Sequence, residues 1–293
     1  MRIVKFDRKF LEDVISIHCP RWREIPLSMR IKDCGYWGDP EVFSWYVDAL
    51  LSADGKILIA LKDDTLIGEA EIVPERLKCP VGDHAYLQMV WVKEGERGIG
   101  VGRKLVEECS KLARDMGFYA LDTIPYDEAI PFFEALGFSE IESQVLMEAK
   151  PRPAPEQPKI EEIGKRELPV AVQMLAGQTR PSALLWELLW GREAVGLPPP
   201  RVFKVRVGLW EFVLGLFRPT ADDNYLYALI WGPERANLGQ IFDSAEMALS
   251  IAYDMGATKV RTQTWCKYRG AFEAAGFEAI KRIKWMRMKI KED

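Results

Sequence analysis

The run Arg97-Gly98-Ile99-Gly100-Val101-Gly102 places three glycines in six residues, and Arg103 and Lys104 follow directly. Behind them Leu105, Val106, Cys109, Leu112, Ala113 and Met116 recur at helical spacing. A glycine turn that opens a helix presents unpaired N–H groups at the positive end of the helix dipole, where each interaction with an anion is worth about 0.3 to 2 kcal/mol. Glycine at 98, 100 and 102 lets the main chain approach a diphosphate, and Arg97, Arg103 and Lys104 add positive charge. Spacing excludes two phosphate loops: the dinucleotide fingerprint needs glycine where Arg103 stands, and the nucleotide P-loop needs Ser or Thr after Gly-Lys. A tight turn with surface charges is the plainer alternative. Groups able to move protons sit on either side of this run: Glu69, Glu71, His84 and Tyr126.

The elements that must position these groups follow from patterning. The start alternates like a strand, Asp7 caps a helix through Phe10, Leu11, Val14 and Ile15, and a second helix follows Asp39-Pro40 as far as Leu51. Residues 56 to 61 and 66 to 72 read as a hairpin around Asp63-Asp64-Thr65, and residues 85 to 92 as the strand that enters the glycine turn. The central helix stops at Gly117. A strand over 119 to 124, a short helix over 129 to 136 and a strand over 145 to 149 complete a mixed α/β sheet.

Residues 150 to 159 place proline at nearly every second position and read as an extended spacer. Across it the chain repeats at an offset of 139, which pairs Tyr86-Leu87 with Tyr225-Leu226, Gly100 with Gly239, Asp115-Met116-Gly117 with Asp254-Met255-Gly256, and Gly137-Phe138 with Gly276-Phe277. Two copies of one domain are expected: residues 1 to 150, a linker over 151 to 158, and residues 159 to 293. The second copy keeps one glycine in its turn, with Ile241 where Gly102 stands in the first, so tight diphosphate binding there is not expected. Trp186, Trp190, Trp210, Trp231, Trp265 and Trp285 of that copy suit core packing, or alternatively a hydrophobic substrate surface. Its last basic stretch, residues 281 to 289, reads as a half-buried edge strand.

The loop from Val92 to Leu105, with Arg97, Gly100 and Gly102 in the key places, resembles the signature of the GNAT superfamily of N-acetyltransferases. The stretch Ala129-Ile130-Pro131-Phe132-Phe133-Glu134-Ala135-Leu136-Gly137-Phe138 is similar to that family's second hallmark, a helix ending in Leu-Gly-Phe. The resemblance implies tandem GNAT-like domains, each a central mixed sheet flanked by helices, the second degenerate. It implies acetyl-CoA as cosubstrate, its diphosphate on the amides of Ile99 to Lys104 and its pantetheine arm along the strand edge Met89, Val90, Trp91 and Val92. It also implies direct attack of an amine, on a small molecule or a protein, at the thioester.

Freeing a lysine-like amine of its proton at pH 7 costs roughly 4 to 5 kcal/mol. Glu69, Glu71 and His84 are the candidate bases, directly or through water; Glu69 and Glu71 share a strand face by their spacing of two, and a solvated outward pair is the plainer reading. His84 equally suits a loop cap. The family's usual acid is a tyrosine where this chain has Phe133, which cannot donate a proton; Tyr126 offers a hydroxyl in the same region, or packs. A non-catalytic CoA-binding regulator or scaffold, and a transferase of longer acyl groups past Met89 and Trp91, are the alternatives.

The chain is 48% hydrophobic and 29% charged, with net charge -4, which gives no overall basic field for nucleic acid or anionic lipid. Neither partner is expected. No metal is expected either, because Cys19, Cys34, Cys79, Cys109 and Cys266 lack paired ligand spacing; reduced, mostly buried thiols are the simple reading. Without a signal-like start or a long apolar run, a cytoplasmic location is expected. Only two His and two Asn among many Glu, Lys and Arg hint at a heat-adapted source.

Overall fold

The computed structural model describes residues 1–25, 27–76, 80–154, 160–165 and 172–290. The first half runs β1 (Arg2–Lys5), α1 (Leu11–His18), α2 (Leu27–Cys34), α3 (Pro40–Ser52), β2 (Lys56–Lys62), β3 (Thr65–Glu75), β4 (His84–Val92), α4 (Val101–Asp115), β5 (Ala120–Thr123), α5 (Ile130–Glu134) and β6 (Ser139–Ala149). The second half runs β7 (Ile160–Glu162), β8 (Val172–Gly177), α6 (Ser182–Trp190), β9 (Arg201–Val207), β10 (Trp210–Phe217), β11 (Tyr225–Pro233), α7 (Leu238–Asp254), β12 (Lys259–Trp265), α8 (Arg269–Ala274) and β13 (Glu278–Lys289). Local chemistry fixes the ends. Asp39 accepts from the amides of Glu41 and Val42 ahead of Pro40 at the start of α3. Gly117, at φ +85°, takes the left-handed turn after α4. Asp7 caps a 3-10 turn, Arg8–Phe10, that leads into α1. Helix α2 was not expected.

All thirteen strands form one sheet, in the order β1-β2-β3-β4-β5-β13-β6-β12-β8-β11-β10-β9-β7. The order mirrors itself about the β13–β6 pair, with β8 as the one strand that has no counterpart. The last strands of the two halves are exchanged: β13 lies against β5, and β6 against β12. Helices α4 and α7 pack on the sheet from one side of their halves, while α1, α3 and α6 share a core that includes Val14, Phe43, Leu50, Ile59, Leu184 and Leu188. The mixed-sheet expectation holds, and the two sheets are fused into one.

The exchange corrects one expectation. Residues 281 to 289 do not lie on an edge; β13 is paired on both sides, with Trp285 and Met286 buried. Nothing in a strand's own pattern shows which strands flank it. The ion pairs at the crossing carry that information. Arg287 faces Asp122 and donates to both its oxygens at 2.6 and 2.7 Å, while Arg261 faces Glu148 and donates at 2.7 Å. Under the offset of 139 these pairs are equivalent with their charges reversed. Had each half kept its own last strand, Asp122 would face Glu148 and Arg261 would face Arg287, so like charges oppose the unexchanged arrangement.

Cysteine is a second correction. Cys19 and Cys34 form a disulfide, because the ends of α1 and α2 bring their Cα atoms to 5.8 Å. Cys109 is a buried free thiol and Cys266 is half-buried and free, while Cys79 and the linker residues 155 to 159 fall outside the described residues. Of the second half's tryptophans, Trp186, Trp231, Trp265 and Trp285 are core residues, whereas Trp210 is exposed. No helix among the described residues is long and apolar enough to cross a membrane.

Asp122 is wholly buried and also accepts from the Trp285 indole at 2.6 Å. Arg287→Met therefore leaves a buried carboxylate without its cation and is expected to cost about 3 to 5 kcal/mol. Adding Asp122→Asn should recover most of that loss. Chemical denaturation of the single and double variants measures both effects.

Candidate functional site

The site begins where two parallel strands part. β4 pairs with β5 only through Ala85–Leu121 and Tyr86–Asp122, and beyond Tyr86 no other described strand takes β5's place. On its other side β4 pairs with β3, and the register slips between Glu71 and Ile72 so that Gln88 is an extra residue. This bulge bends β4 away from β5. Thr123 Oγ1 donates to the Leu87 carbonyl at 3.1 Å and Arg97 Nε donates to the Val92 carbonyl at 3.0 Å, which leaves the edge between them open.

A cavity of about 590 Å³ lies along that edge, bordered by Met89, Val90, Trp91 and Val92 and by Arg97, Gly98 and Gly100 to Arg103. Gly98 and Gly100 have φ of +80° and +91° with nothing within 4 Å of a side chain built on them, so they provide a bare turn. Gly100 is the N-cap of α4 and offers no side-chain cap. The first helical bond is Lys104 N–H to the Gly100 carbonyl at 3.1 Å, so the amides of Val101, Gly102 and Arg103 precede the ladder and remain for a ligand. The expected contact through the Lys104 amide is therefore not available. Ile99 is exposed, and neither Ile99 nor the Lys104 side chain borders the cavity. A larger groove, of about 910 Å³, lies at Gly117 to Ala120 beside the end of β13 and holds none of the candidate groups.

A second cavity of about 380 Å³ adjoins the first and shares Met89, Val90, Tyr126, Ala129 and Phe133 with it. Tyr126 is 77% exposed, so its ring is no core group, and its phenol stands where the cavities meet. Phe133 is buried, edge-on to Phe132 and Phe138. The second cavity's remaining wall includes Trp37, Tyr86 and Gln88 from the first half and Thr179, Arg180, Gln263 and residues 281 to 284 from the second.

Glu69 and Glu71 are both fully buried, which overturns the solvated-pair reading. They project from β3 to the side of α1 and α3. Glu69 Oε2 lies 2.6 Å from His18 Nε2, and the His18 ring is held between Trp37 and Trp91 at centroid distances of 4.7 and 5.0 Å. Tyr46 donates its hydroxyl to Glu71 Oε2 at 2.6 Å. Burial raises both carboxyls to about 8 and lowers His18 to about 4. Burial thus disfavours a separated ion pair at the 2.6 Å contact, since the two indoles give its charges too little solvation. For Glu71, the repulsion of Glu69 adds to burial, while the Tyr46 hydroxyl, His18 and Arg180 favour the ionised form. One oxygen of each carboxyl, Oε1, has no hydrogen-bond partner.

His84 is not brought to this place. It is buried at the closed end of the β4–β5 pair, 2.7 Å from the Gly82 carbonyl and 3.7 Å from Asp122, and borders neither cavity. His18, Trp37, Tyr46 and Arg180 were missed by sequence reasoning. The scarcity of histidine is the one signal that points to His18; nothing local marks Arg180.

A model of the GNAT acetyltransferase family matches residues 12–138, which span the strand, the glycine turn and the Leu-Gly-Phe helix. The first half of the chain therefore carries a GNAT-family domain. Across almost the full length the fold is similar to solved structures. These include a GCN5-related N-acetyltransferase from Anabaena variabilis (11% identity, TM-score 0.65, covering 99% of this chain and 73% of that one). Another is a GCN5-related N-acetyltransferase from Kribbella flavida (14%, 0.59, 98% and 70%). A third is a tandem GNAT protein from the clavulanic acid biosynthesis pathway (12%, 0.54, 100% and 99%). The GNAT fold family binds acetyl-CoA or CoA.

The second GNAT-like half has the same parting of strands, and the chain itself fills it. β11 pairs with β12 at Tyr225 to Tyr227, and then β8 enters between them, antiparallel to both. Its partners on β11 include Ile230 and Trp231, the offset equivalents of Trp91 and Val92. The helix start is filled too: Asn237 accepts from the Gln240 amide, and the Gln240 side chain accepts from the Asn237 amide, both at 3.0 Å. In one copy of this GNAT fold the strand edge and the helix end are satisfied internally, and in the other both remain for a ligand.

Glu69 and Glu71 keep protons in the folded state that the unfolded chain releases near pH 4.5. Their contribution to stability is complete below that pH and is lost as the pH rises to about 8. The thermal midpoint should fall from pH 5 to pH 9, and Glu69→Gln should flatten the decline. Scanning calorimetry across that range checks it.

Proposed function

We propose that this protein is an acetyl-CoA-dependent N-acetyltransferase, with residues 1 to 150 as the catalytic domain and residues 159 to 293 as a degenerate copy that walls the acceptor side. The observation that carries the reading is the contrast between the two clefts: β8 and Asn237 fill the second, while the first keeps an open strand edge beside bare helix amides. An extended chain with two amides suits that edge as β8 suits the other. The residues fit the coenzyme. The amides of Val101, Gly102 and Arg103 would hold the diphosphate with Arg97 and Arg103 nearby, and Met89 to Val92 would pair with the pantetheine arm. Acetyl-CoA supplies the thioester that the acceptor amine attacks.

Within this reading Glu71 takes the amine proton. It does not border the acceptor cavity, so the proton travels through a bound water. Its carboxyl titrates at about 8, nearer an amine than an ordinary carboxylate, and Tyr46 holds one oxygen while the other remains free. Glu69 positions His18 and, through its stacking, Trp37 on the cavity wall. Tyr126, which borders both cavities, returns a proton to the departing thiolate in this reading. The acyl group is proposed to be acetyl because the family model that the first half matches is that of acetyltransferases.

Two outcomes are expected. Gly100→Asp puts a carboxylate among the free amides in open space, at the cost of backbone strain at φ +91°, and should weaken CoA binding at least about tenfold by calorimetry, with circular dichroism checking that the fold persists. Equal affinity would remove the diphosphate site. With a panel of amines, kcat/KM should rise as the pH passes through about 8, because the base must be ionised, and Glu71→Gln should abolish that limb. An unchanged profile in Glu71→Gln would assign the base elsewhere.

A further inference from the structure

The strand that breaks the sheet's symmetry also carries the second half to the acceptor cavity. From Gly177, the end of β8, the chain turns through Gln178, where the Arg180 amide donates to the Gln178 carbonyl at 2.9 Å. It is tied to the first half on both sides of Arg180. The Tyr86 hydroxyl donates to the Thr179 carbonyl at 3.3 Å, and the Ser182 amide donates to Glu75 at 2.8 Å. Filling one cleft thus delivers a guanidinium to the other.

Arg180 lies on the cavity wall near Tyr36, Tyr46, Tyr86 and Glu71, its guanidinium carbon 5.7 Å from the centre of the Tyr36 ring. Nη1 donates to the Gln178 side chain at 3.1 Å, whereas Nε is buried with no hydrogen-bond partner. Among the described residues no carboxylate lies within ion-pair distance of Arg180. Glu71 is near but accepts no hydrogen bond from it: Tyr46 donates to Oε2, and Oε1 has no hydrogen-bond partner. The other basic residues of the wall differ: Lys281 pairs with Asp127 and Arg282 with Glu140, while exposed Lys284 has no such partner among the described residues. A guanidinium drawn out of water without a counter-ion is costly, and its planar fork fits a carboxylate or phosphate.

We propose that Arg180, supplied by the second half, binds an anionic group on the acceptor, so that the substrate is a small amine that also bears a carboxylate or a phosphate. This rests on the acetyl-transfer reading. The cavity of about 380 Å³ suits an acceptor of amino-acid size. Arg180 serves specificity: it holds the acceptor's charged end while the amine meets the thioester beyond Met89.

The test compares ω-aminocarboxylates and ω-aminoalkyl phosphates of two to four carbons with the neutral amides of the same aminocarboxylates, in the full chain with acetyl-CoA. The anionic acceptors should be preferred by about thirtyfold or more in kcat/KM, mainly through KM, as expected for a charge-assisted fork. In Arg180→Met that preference should collapse toward one, with Arg180→Lys intermediate. Whichever anion is preferred identifies the source of the charge. The thermal midpoint of Arg180→Met should equal or exceed that of the native chain, since an unneutralised cation is removed. Equal use of neutral and anionic amines, or a loss in Arg180→Met that is the same for both, overturns the proposal. If no amine is turned over although CoA binds, the transfer reading has failed separately; calorimetric titration of the CoA complex with the same compounds then decides. Binding of the anionic set that Arg180→Met abolishes sustains the site, and absence of binding refutes it.

Discussion

Two parallel strands that part in the middle of a sheet leave main-chain N–H and C=O groups without their partner, and such groups must be satisfied by something. The whole structure is organised around that demand, which arises twice. Between β11 and β12 it is met by β8, so the second half is closed by its own chain. Between β4 and β5 nothing in the described chain meets it, and the bulge at Gln88 widens the gap. The same division holds at the two helix ends, where Asn237 and Gln240 cap α7 and Gly100 leaves α4 bare. One cleft is closed by the chain itself, and the other keeps its strand edge and helix amides open.

The exchange of β6 and β13 makes the halves depend on one another. Each last strand completes the other half's sheet, and the charge-reversed pairs Asp122–Arg287 and Arg261–Glu148 favour this crossing over closure within each half. The consequence reaches the site, because residues 281 to 284 of β13 and Gln263 of β12 become walls of the second cavity. A degenerate second copy is therefore retained as part of the chamber. The Cys19–Cys34 disulfide joins the segments that carry His18 and Trp37, which stack on one another at that chamber's edge.

Much of this was legible in the sequence where the cause is local. The glycine turn, the helix behind it, the strand that enters it and the hairpin before it follow from residue types and periodicity, and Asp39 and Gly117 mark ends that the structure keeps. The repeat at 139 announced two similar halves, and Ile241 in place of a glycine announced that they differ. What was not legible depends on long-range neighbours. A basic, alternating strand such as β13 reads the same at an edge or in the middle of a sheet. Glu69 and Glu71 look like a solvated pair until α1 and α3 cover them. Arg180 sits in an unremarkable polar stretch, and only the course of β8 gives it meaning. The pairing of Cys19 with Cys34 likewise depends on how α1 and α2 pack, which neither segment's own pattern states.

The first cleft's main-chain groups are open to a ligand, while the second cleft's are already paired. Amide hydrogen exchange, followed with and without CoA, measures this directly. CoA should slow exchange at residues 89 to 92 and 101 to 103 and leave residues 228 to 233 and 238 to 241 as they were. Protection in the second cleft, or none in the first, would contradict it.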